Sequence, residues 1–376
     1  MTLKKLQRPH QTALSVGSVM IDIITVIQDD KVELMTLHNM TSSFLMLEQG
    51  RKVESKSIDT YVGGGGANTS VCMSRLGMKT DILALVGKDL NAEKIIQRLT
   101  TENISLDHLT VVESVGSGVA VHISSHDHNA AIFTHRGANC CLTADMVTAV
   151  DFSKYSLVYV TNLSNESADY FPLIIAQAAK AKCFIVSNPG IRQLTRLCDD
   201  FLKCLPSITL LSINKVECEV LVPKLVSEYQ KTAIMIAENP ERDLPPLLKS
   251  GLKFGGFSLG LVEFMKILSD RGPEYIVITD GSKGAYLLYH NSLYYCPPQK
   301  VVMQGSAGAG DSFSSTLACL ISSGNTPEVA LYAASTNAVS VISRVDTQEG
   351  LLTYEALEKK IGRKNIANII IKWDIA

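Results

Sequence analysis

The order of hydrophobic and polar positions separates an early, β-rich part of the chain from a later part in which strands and helices alternate. Residues 13–24 are mostly apolar and predict a buried strand, interrupted by Gly17-Ser18 and by Asp22. Residues 25–62 contain short segments with alternating polar positions, which indicate a small sheet at the periphery of the main core. Because burying an unpaired carboxylate costs free energy, we expect Asp22 to contact solvent or a ligand.

Four consecutive glycines open the next predicted helix. Gly63 to Gly66 precede a helical pattern that runs to about Leu76, where Gly77 can end it. Such a run of glycines is either a flexible turn or a place where the backbone approaches a ligand closely. In the second interpretation, Asn68 offers that ligand both a donor and an acceptor.

A second peripheral pair of strands is predicted at residues 116–133, around a turn at residues 124–129. His126 and His128 lie in that turn. Polar residues at a hairpin tip are usually plain turn residues, so we predict no metal site from these two histidines.

From residue 157 onward, strands and helices alternate. Strands are predicted at residues 157–161, 183–187, 209–213 and 275–278, and helices at residues 169–181, 191–202, 261–270, 327–344 and 353–361. Repeated βα units predict a mostly parallel sheet with helices on both faces. Ligands of such sheets bind beyond the carboxyl ends of the strands, where Asn188, Asn214 and Thr279 stand.

Composition narrows the class of protein. The chain has 376 residues, of which 46% are hydrophobic and 19% charged, as is ordinary for a globular enzyme or binding protein. A net charge of −2 argues against nucleic-acid binding, and no apolar run approaches the roughly 20 residues of a membrane helix. The first twelve residues do not resemble a secretory signal, and the nine scattered cysteines form no C-x-x-C pair. We therefore expect a cytoplasmic protein with reduced thiols.

The stretch with the clearest chemical meaning is Gly308-Ala309-Gly310, followed by Asp311 and by apolar residues at helical spacing. Small residues bring backbone N–H groups close to a ligand. A helix that begins there presents unpaired N–H groups and partial positive charge to an anion such as phosphate. Asp311 is then either an N-cap or a general base beside a phosphate site. The chain contains neither a P-loop nor a complete dinucleotide fingerprint.

Five motifs resemble, in their order along the chain, those of the ribokinase (PfkB) family of sugar and nucleoside kinases. They are Gly17-Ser18 with Asp22, the glycine run with Asn68, Asn214 with Glu217, Thr279 with Gly281 and Gly284, and Gly308-Ala309-Gly310-Asp311. The resemblance spans about residues 13–361. It implies an α/β fold, a three-layer α/β/α sandwich with a mostly parallel central sheet and a small β-sheet lid. We expect residues 1–376 to form one kinase domain, with lid insertions at about residues 25–62 and 116–136.

The resemblance also implies roles for individual residues. On the acceptor side, the sugar hydroxyls would be held by Asp22, Gly64 and Asn68. The anion hole would consist of Gly308, Ala309 and Gly310, with Asp311 as the base. On the nucleotide side, the phosphates would meet Asn188 and Asn214, and the nucleotide would be lined by Thr279, Gly281 and Gly284, with Asn337 near the base or ribose. Glu217 would organise magnesium, largely through water; taken alone, it is equally a helix-start carboxylate favoured by the dipole.

The implied function is transfer of the γ-phosphate of ATP to a hydroxyl of a small carbohydrate, with ATP and Mg²⁺ as cofactors. Two alternatives stay open: a nucleoside (adenosine-like) kinase of the same fold, and a catalytically silent sugar or nucleotide sensor. The retained Asp311, Glu217 and Asn214 argue against the sensor. The run at residues 133–139 looks more like the sugar branch of the family.

One position departs from the family pattern. The family usually has D-T-x before the GAGD run, and here Gly305 takes the place of the aspartate. The missing carboxylate puts the family's monovalent-cation site in doubt. Lid strands in this family often make dimer contacts, so a homodimer through the lid is an assembly that the resemblance allows.

Overall fold

The computed structural model describes residues 6–27, 33–36, 43–46, 50, 52–124, 130–228, 244–362 and 364–375. The strands of this part of the chain are β1 (Thr12–Val16), β2 (Met20–Ile27), β3 (Glu33–Thr36), β4 (Ser43–Met46), β5 (Ser55–Gly63), β6 (Lys79–Gly87), β7 (Leu109–Val112), β8 (Gly118–Ser124), β9 (Ala130–His135), β10 (Leu157–Val160), β11 (Phe184–Ser187), β12 (Leu210–Asn214), β13 (Leu252–Phe254), β14 (Phe257–Leu259), β15 (Tyr275–Thr279), β16 (Ala285–Tyr289), β17 (Ser292–Cys296) and β18 (Ile371–Asp374). Its α-helices are α1 (Gly65–Arg75), α2 (Leu90–Thr101), α3 (Ala144–Thr148), α4 (Phe171–Lys180), α5 (Ile191–Thr195), α6 (Cys198–Cys204), α7 (Lys215–Glu228), α8 (Pro246–Ser250), α9 (Leu261–Ser269), α10 (Ala309–Ser322), α11 (Pro327–Ile342) and α12 (Tyr354–Ile361).

A large sheet forms the centre of the described structure, in the order β18-β17-β16-β15-β12-β11-β10-β1-β6-β7. The strands from β15 to β7 run parallel, and β16, β17 and β18 add an antiparallel edge. A strand such as β10 is buried at every position because both faces of the sheet are covered. The carboxyl ends of the parallel strands meet at one edge of the sheet.

Helices cover both faces and enclose two hydrophobic cores. Alternate residues of β10 enter different cores: Val158 and Val160 pack on one face, Leu157 and Tyr159 on the other. The first core draws its helical residues mainly from α4, α6, α7 and α9, and the second from α1, α2, α10, α11 and α12. This is the three-layer α/β/α arrangement that the sequence predicts.

A smaller four-stranded sheet stands apart from the central one, in the order β5-β2-β8-β9. In it, β2 pairs antiparallel with β5 and parallel with β8, and β8 pairs antiparallel with β9. Most of its strands come from the two stretches predicted to be peripheral. The turn with His126 and His128 lies outside the described residues. Each helix of the described part of the chain is too short or too polar to cross a lipid bilayer.

Two predicted elements are each divided in the structure. The single strand predicted at residues 13–24 is wrong, because β1 lies in the central sheet and β2 in the small one. The chain passes between the sheets at Gly17, where a Cβ would lie 2.0 Å from Thr161 Oγ1. Asp22 therefore belongs to the small sheet. The helix predicted at residues 191–202 is α5 and α6, since Leu197 leaves the helical conformation with φ −110° and ψ 24°.

Candidate active site

The glycine-alanine-glycine stretch begins α10, as its pattern predicts. Gly308 precedes the helix with φ 76°, a left-handed conformation that favours glycine, and a Cβ there would lie 2.8 Å from Thr347 Cβ. The first turn closes with a hydrogen bond from Ser312 N to Gly308 O at 2.9 Å. No carbonyl of α10 therefore accepts from the N–H groups of Ala309, Gly310 and Asp311. Space is open at Gly310, where a Cβ would have no neighbour within 4 Å.

A direct contact joins the two glycine-rich helix starts. Asn68, in α1, donates from Nδ2 to Asp311 Oδ2, in α10, at 2.8 Å. Burial raises the pKa of Asp311 above its ordinary value, the hydrogen bond from Asn68 lowers it, and the charge of Asp22 raises it further. Asp311 and Asp22 are thus close enough to influence each other, although they lie 289 positions apart in the chain (311 minus 22).

The Asp22 carboxylate lies against the glycine turn. Asp22 as a whole residue is 5% exposed, and a Cβ on Gly63 would be 1.8 Å from Asp22 Oδ2, so only glycine leaves room for this carboxylate. Gly64 has φ 94°, and a Cβ there would be 2.6 Å from Ser18 O. The four-glycine run is therefore not a flexible linker. It is a close approach of the backbone to β2 and to the turn that precedes it.

Predicted phosphate-side residues lie at the carboxyl ends of neighbouring strands. Asn188 follows β11 and donates from Nδ2 to Ser212 O at 2.8 Å. Asn214 ends β12 and is the register partner of Thr279 at the end of β15. Asn214 and Glu217 cap the start of α7 reciprocally: Glu217 N donates to Asn214 Oδ1 at 2.9 Å, and Asn214 N donates to Glu217 Oε2 at 2.8 Å.

Glu217 has a second property besides its part in this cap. Burial raises the pKa of Glu217 to about 7; hydrogen bonds from Asn214 oppose the shift and the charge of Asp311 adds to it. Glu217 and Asp311 therefore interact electrostatically across the edge of the sheet. Among the described residues, no cluster of three or more histidine, cysteine or acidic side chains could hold a metal ion by itself.

The loop between β15 and β16 depends on its two predicted glycines. Gly281 has φ 54° and Gly284 has φ 99°, and a Cβ on Gly284 would be 2.4 Å from Cys296 O. Asp280 N donates to Gly284 O at 2.9 Å, which closes the loop directly after Thr279. Space is open around Gly281, where a Cβ would have no neighbour within 4 Å.

The side-chain amide of one predicted site residue is bonded to other parts of the protein. Asn337, in α11, is fully buried, and its Nδ2 donates to Thr316 Oγ1 at 2.8 Å and to Cys72 Sγ at 3.5 Å. Its Oδ1 accepts from Leu352 N at 2.9 Å. The amide of Asn337 thus joins α11 to α10, α1 and the segment before α12. Its predicted place near the base or ribose stays a prediction.

The structure adds polar residues that the sequence did not indicate. Thr347 and Gln348 both donate to Asn68 Oδ1, at 3.0 and 3.1 Å. His122, in β8, has Nε2 3.5 Å from Asp22 Oδ1, and this buried nitrogen has no hydrogen-bond partner among the described residues. Thr347 and Gln348 follow a helix in an irregular segment, and His122 is one of eight histidines, so no local pattern marks any of them.

The chain is similar in sequence to known proteins. A sequence model described as "pfkB family carbohydrate kinase" matches residues 12–239 and 260–353. The chain is similar to the deoxyribokinase of Salmonella typhi, with 23% identity over 296 residues, which cover 77% of this chain and 82% of the relative.

Two solved structures share the fold. One is Arabidopsis thaliana ribokinase complexed with ribose and ATP, with a TM-score of 0.69 and 17% identity over 95% of this chain and 100% of that one. The other is the Burkholderia thailandensis nucleoside kinase in complex with inosine, with a TM-score of 0.68 and 15% identity over 93% of this chain and 97% of that one.

Proposed function

The chain belongs to the pfkB family of carbohydrate kinases, and from this premise we propose that it is an ATP-dependent sugar kinase with Asp311 as its general base. Membership makes it a phosphotransferase with an alcohol group as acceptor. The observation that carries the finer proposal is the 2.8 Å hydrogen bond from Asn68 to Asp311. It joins the helix start proposed to bind sugar to the helix start proposed to bind phosphate.

In the proposed reaction, a sugar hydroxyl oxygen bonds to the γ-phosphorus of ATP as the bond from that phosphorus to the β–γ bridging oxygen breaks. The hydroxyl proton passes to the Asp311 carboxylate, whose pKa is raised by burial and which is therefore a stronger base than an exposed aspartate. The N–H groups of Ala309, Gly310 and Asp311 stabilise charge on the transferred group, because such transfer needs positioning and electrostatic stabilisation above all.

Asp22, Gly64 and Asn68 are the proposed acceptor contacts. Asp22 accepts hydrogen bonds from sugar hydroxyls. Gly64 lets the backbone come close to the sugar, and Asn68 keeps Asp311 oriented towards it. The four-stranded sheet carries Asp22. We propose that this sheet is the lid over the sugar in a single kinase domain, with lid insertions at about residues 25–62 and 116–136.

The nucleotide side uses the strand ends. Asn188 and Asn214 are the proposed phosphate contacts, and Thr279, Gly281 and Gly284 the proposed lining of the nucleotide. Magnesium fits a site with one nearby carboxylate, since Mg²⁺ is usually held by one or two carboxylates, water and substrate phosphates. Glu217, half-buried beside Asn214, would hold it largely through water; when bound, Mg²⁺ would screen the triphosphate charge.

A nucleoside kinase of the same fold is the second candidate, since a nucleoside kinase is among the structures that share the fold. That likeness concerns the fold alone at 15% identity, whereas the curated relative is named for a sugar, which favours the sugar kinase. A silent sensor is disfavoured because Asp311, Glu217 and Asn214 are all present and two of them interact electrostatically.

The test is a panel of pentoses, deoxypentoses, hexoses and nucleosides, each assayed for formation of ADP from ATP, with reactions that lack the acceptor or the protein as blanks. The proposal expects turnover with at least one sugar above that with every nucleoside. Turnover with nucleosides alone would establish the second candidate. Binding of ATP and of a sugar without any turnover would favour the third candidate, the catalytically silent sensor.

A further inference from the structure

The structure assigns to Gln348, together with Thr347, the role of orienting the amide of Asn68 so that its NH₂ group faces Asp311. The inference rests on the proposed function, because the base that it concerns is Asp311. Neither residue belongs to a motif, and both are almost completely buried, at 1% and 3% exposure. We call them positioning residues because they act on the base through Asn68.

The direction of each hydrogen bond follows from a group that can only donate. Arg98, in α2, donates from Nε to Gln348 Oε1 at 3.0 Å. Since guanidinium has no acceptor, the oxygen of the Gln348 amide must face Arg98 and its nitrogen must face Asn68. Gln348 Nε2 then donates to Asn68 Oδ1 at 3.1 Å, which leaves Asn68 Nδ2 to donate to Asp311 Oδ2 at 2.8 Å.

Thr347 adds a second donor to the same oxygen. Its Oγ1 lies 3.0 Å from Asn68 Oδ1, so that both lone pairs of this oxygen are used. If the Asn68 amide turned by 180°, an oxygen would face the Asp311 carboxylate and an NH₂ group would face the NH₂ of Gln348. Each of these pairs is repulsive, and the buried surroundings make unpaired groups costly.

The segment that carries the two residues is itself held firmly. Arg75 donates from one nitrogen to Gln348 O and to Leu351 O, both at 2.8 Å. Glu102 accepts from Arg75 at 2.6 Å and from Arg98 at 3.1 Å. Asp346 accepts from Gln348 N at 2.9 Å. Two arginines on different helices therefore fix both the backbone and the side chain of Gln348.

The same segment reaches the phosphate side of the site. A Cβ on Gly308 would meet Thr347 at 2.8 Å, so Thr347 packs directly on the turn that begins α10. Thr347 contacts that turn and Asn68 at once. The inferred role is therefore to keep the base and the N–H groups of α10 in fixed relative positions before either substrate binds.

The experiment is a double-mutant cycle on kcat with a sugar that the wild-type protein phosphorylates. Gln348→Met removes the amide at similar volume and is expected to lower kcat roughly 10- to 100-fold, with little change in the KM for ATP. In an Asn68→Ala background, the same change is expected to lower kcat by no more than about twofold, because there is no amide left to orient.

Two further variants keep the test independent of folding. Gln348→Glu keeps shape and the contact with Arg98 but presents an oxygen to Asn68, so we expect a loss of kcat at least as large as for Gln348→Met. Gln193→Met is the matched control: Gln193 is also 1% exposed and accepts from Gly190 N at 3.2 Å, but it bonds to neither Asn68 nor Asp311. It should lower the thermal stability while kcat stays within about twofold.

Equal losses of kcat in the wild-type and Asn68→Ala backgrounds would overturn the inference, as would an undiminished kcat in Gln348→Glu. Failure of the proposed function would give different results, so the two failures can be distinguished. If Asp311→Asn kept full turnover, Asp311 would not be the base. If Asp311→Asn were inactive and Gln348→Glu fully active, the inference alone would fail.

Discussion

At the residue scale, the state of Asp311 is set by opposing influences. Burial and the charge of Asp22 raise its pKa, and the hydrogen bond from Asn68 lowers it. A carboxylate in this balance accepts a proton more readily than an exposed aspartate, while Asn68 still supports its charged form. An N-cap role does not describe Asp311, because it stands inside the first turn of α10 and its Oδ2 accepts from a side chain of another helix.

A substitution at Gly63 tests whether Asp22 binds the sugar acceptor. In Gly63→Ala, the added methyl group would lie 1.8 Å from Asp22 Oδ2 and must displace the carboxylate. We expect the KM for the sugar to rise by roughly tenfold or more, because lost binding of about 1.4 kcal/mol corresponds to that factor, while the KM for ATP changes little. Steady-state kinetics in both substrates would check this.

Gly260→Ala is the control for this substitution. Its φ is −61°, and a Cβ there would make only ordinary contact with Glu263, at 3.8 Å. Both KM values should stay at the wild-type level. A Gly63→Ala protein with an unchanged KM for the sugar would show that Asp22 does not hold the acceptor.

At the scale of elements, the segment between α11 and α12 lies against Gly305, the position at which the chain departs from the family pattern. A Cβ on Gly305 would lie 3.3 Å from Arg344 O and 3.5 Å from Val345 O, so an aspartate there would extend among these carbonyl groups. In this chain the segment is held instead by the permanent positive charge of Arg75, which binds Gln348 O and Leu351 O. We therefore propose that this segment does not need a bound monovalent cation to order it.

We accordingly predict that turnover does not depend on potassium, with rates in potassium-free and potassium-containing buffer of equal ionic strength within about twofold. Gly305→Asp supplies the matched variant: the new carboxylate beside the two carbonyl oxygens should create a potassium response that the wild type lacks. Many-fold activation of the wild type by potassium would contradict this account of Gly305.

Much of the fold at this scale could be predicted from the sequence, because period-two and helical patterns arise from local burial. The exceptions have physical causes. The break at Gly17 depends on Thr161, which is distant in sequence. Helix α7 carries Pro223 and an interrupted pattern, so its extent was not predicted. Strand β18 is recognisable as a strand only through its pairing with β17.

At the scale of the whole molecule, the proposed site is assembled from segments far apart in the chain. The glycine-rich turns were predictable because each is a run of consecutive small residues directly before a helical pattern. The inferred role of Gln348 could not be predicted from the sequence, because it depends on a contact with Asn68, 280 positions away. The sequence also did not show that the Asn337 amide is fully buried and bonded to Thr316, because a buried amide and a ligand-binding amide look alike in sequence.

The small sheet also suggests how two copies of the chain could associate. Among the described residues, β9 pairs only with β8, so it is an edge strand of the small sheet. Two of its apolar residues are largely exposed to solvent: Ile132 is 56% exposed and Phe133 is 61% exposed. Apolar side chains on an exposed edge strand are a site for pairing with another chain. We predict a homodimer through this edge.

Light scattering over a range of concentrations would test the dimer. Phe133→Ser should shift the mass towards a single chain, whereas Phe257→Ser, which changes an exposed phenylalanine of the separate β13–β14 hairpin, should leave it unchanged. A wild-type protein that stays monomeric at high concentration would exclude this assembly.

The most direct test of the account is the kcat of Asp311→Asn with a sugar that the wild-type protein phosphorylates. The variant keeps the shape of the side chain and removes its ability to take the hydroxyl proton. We expect kcat to fall by roughly 10²–10⁴-fold or more, with the affinity for ATP, measured by calorimetry, nearly unchanged. An Asp311→Asn protein with near-normal turnover would contradict the account, since the proton would then have to go to another group.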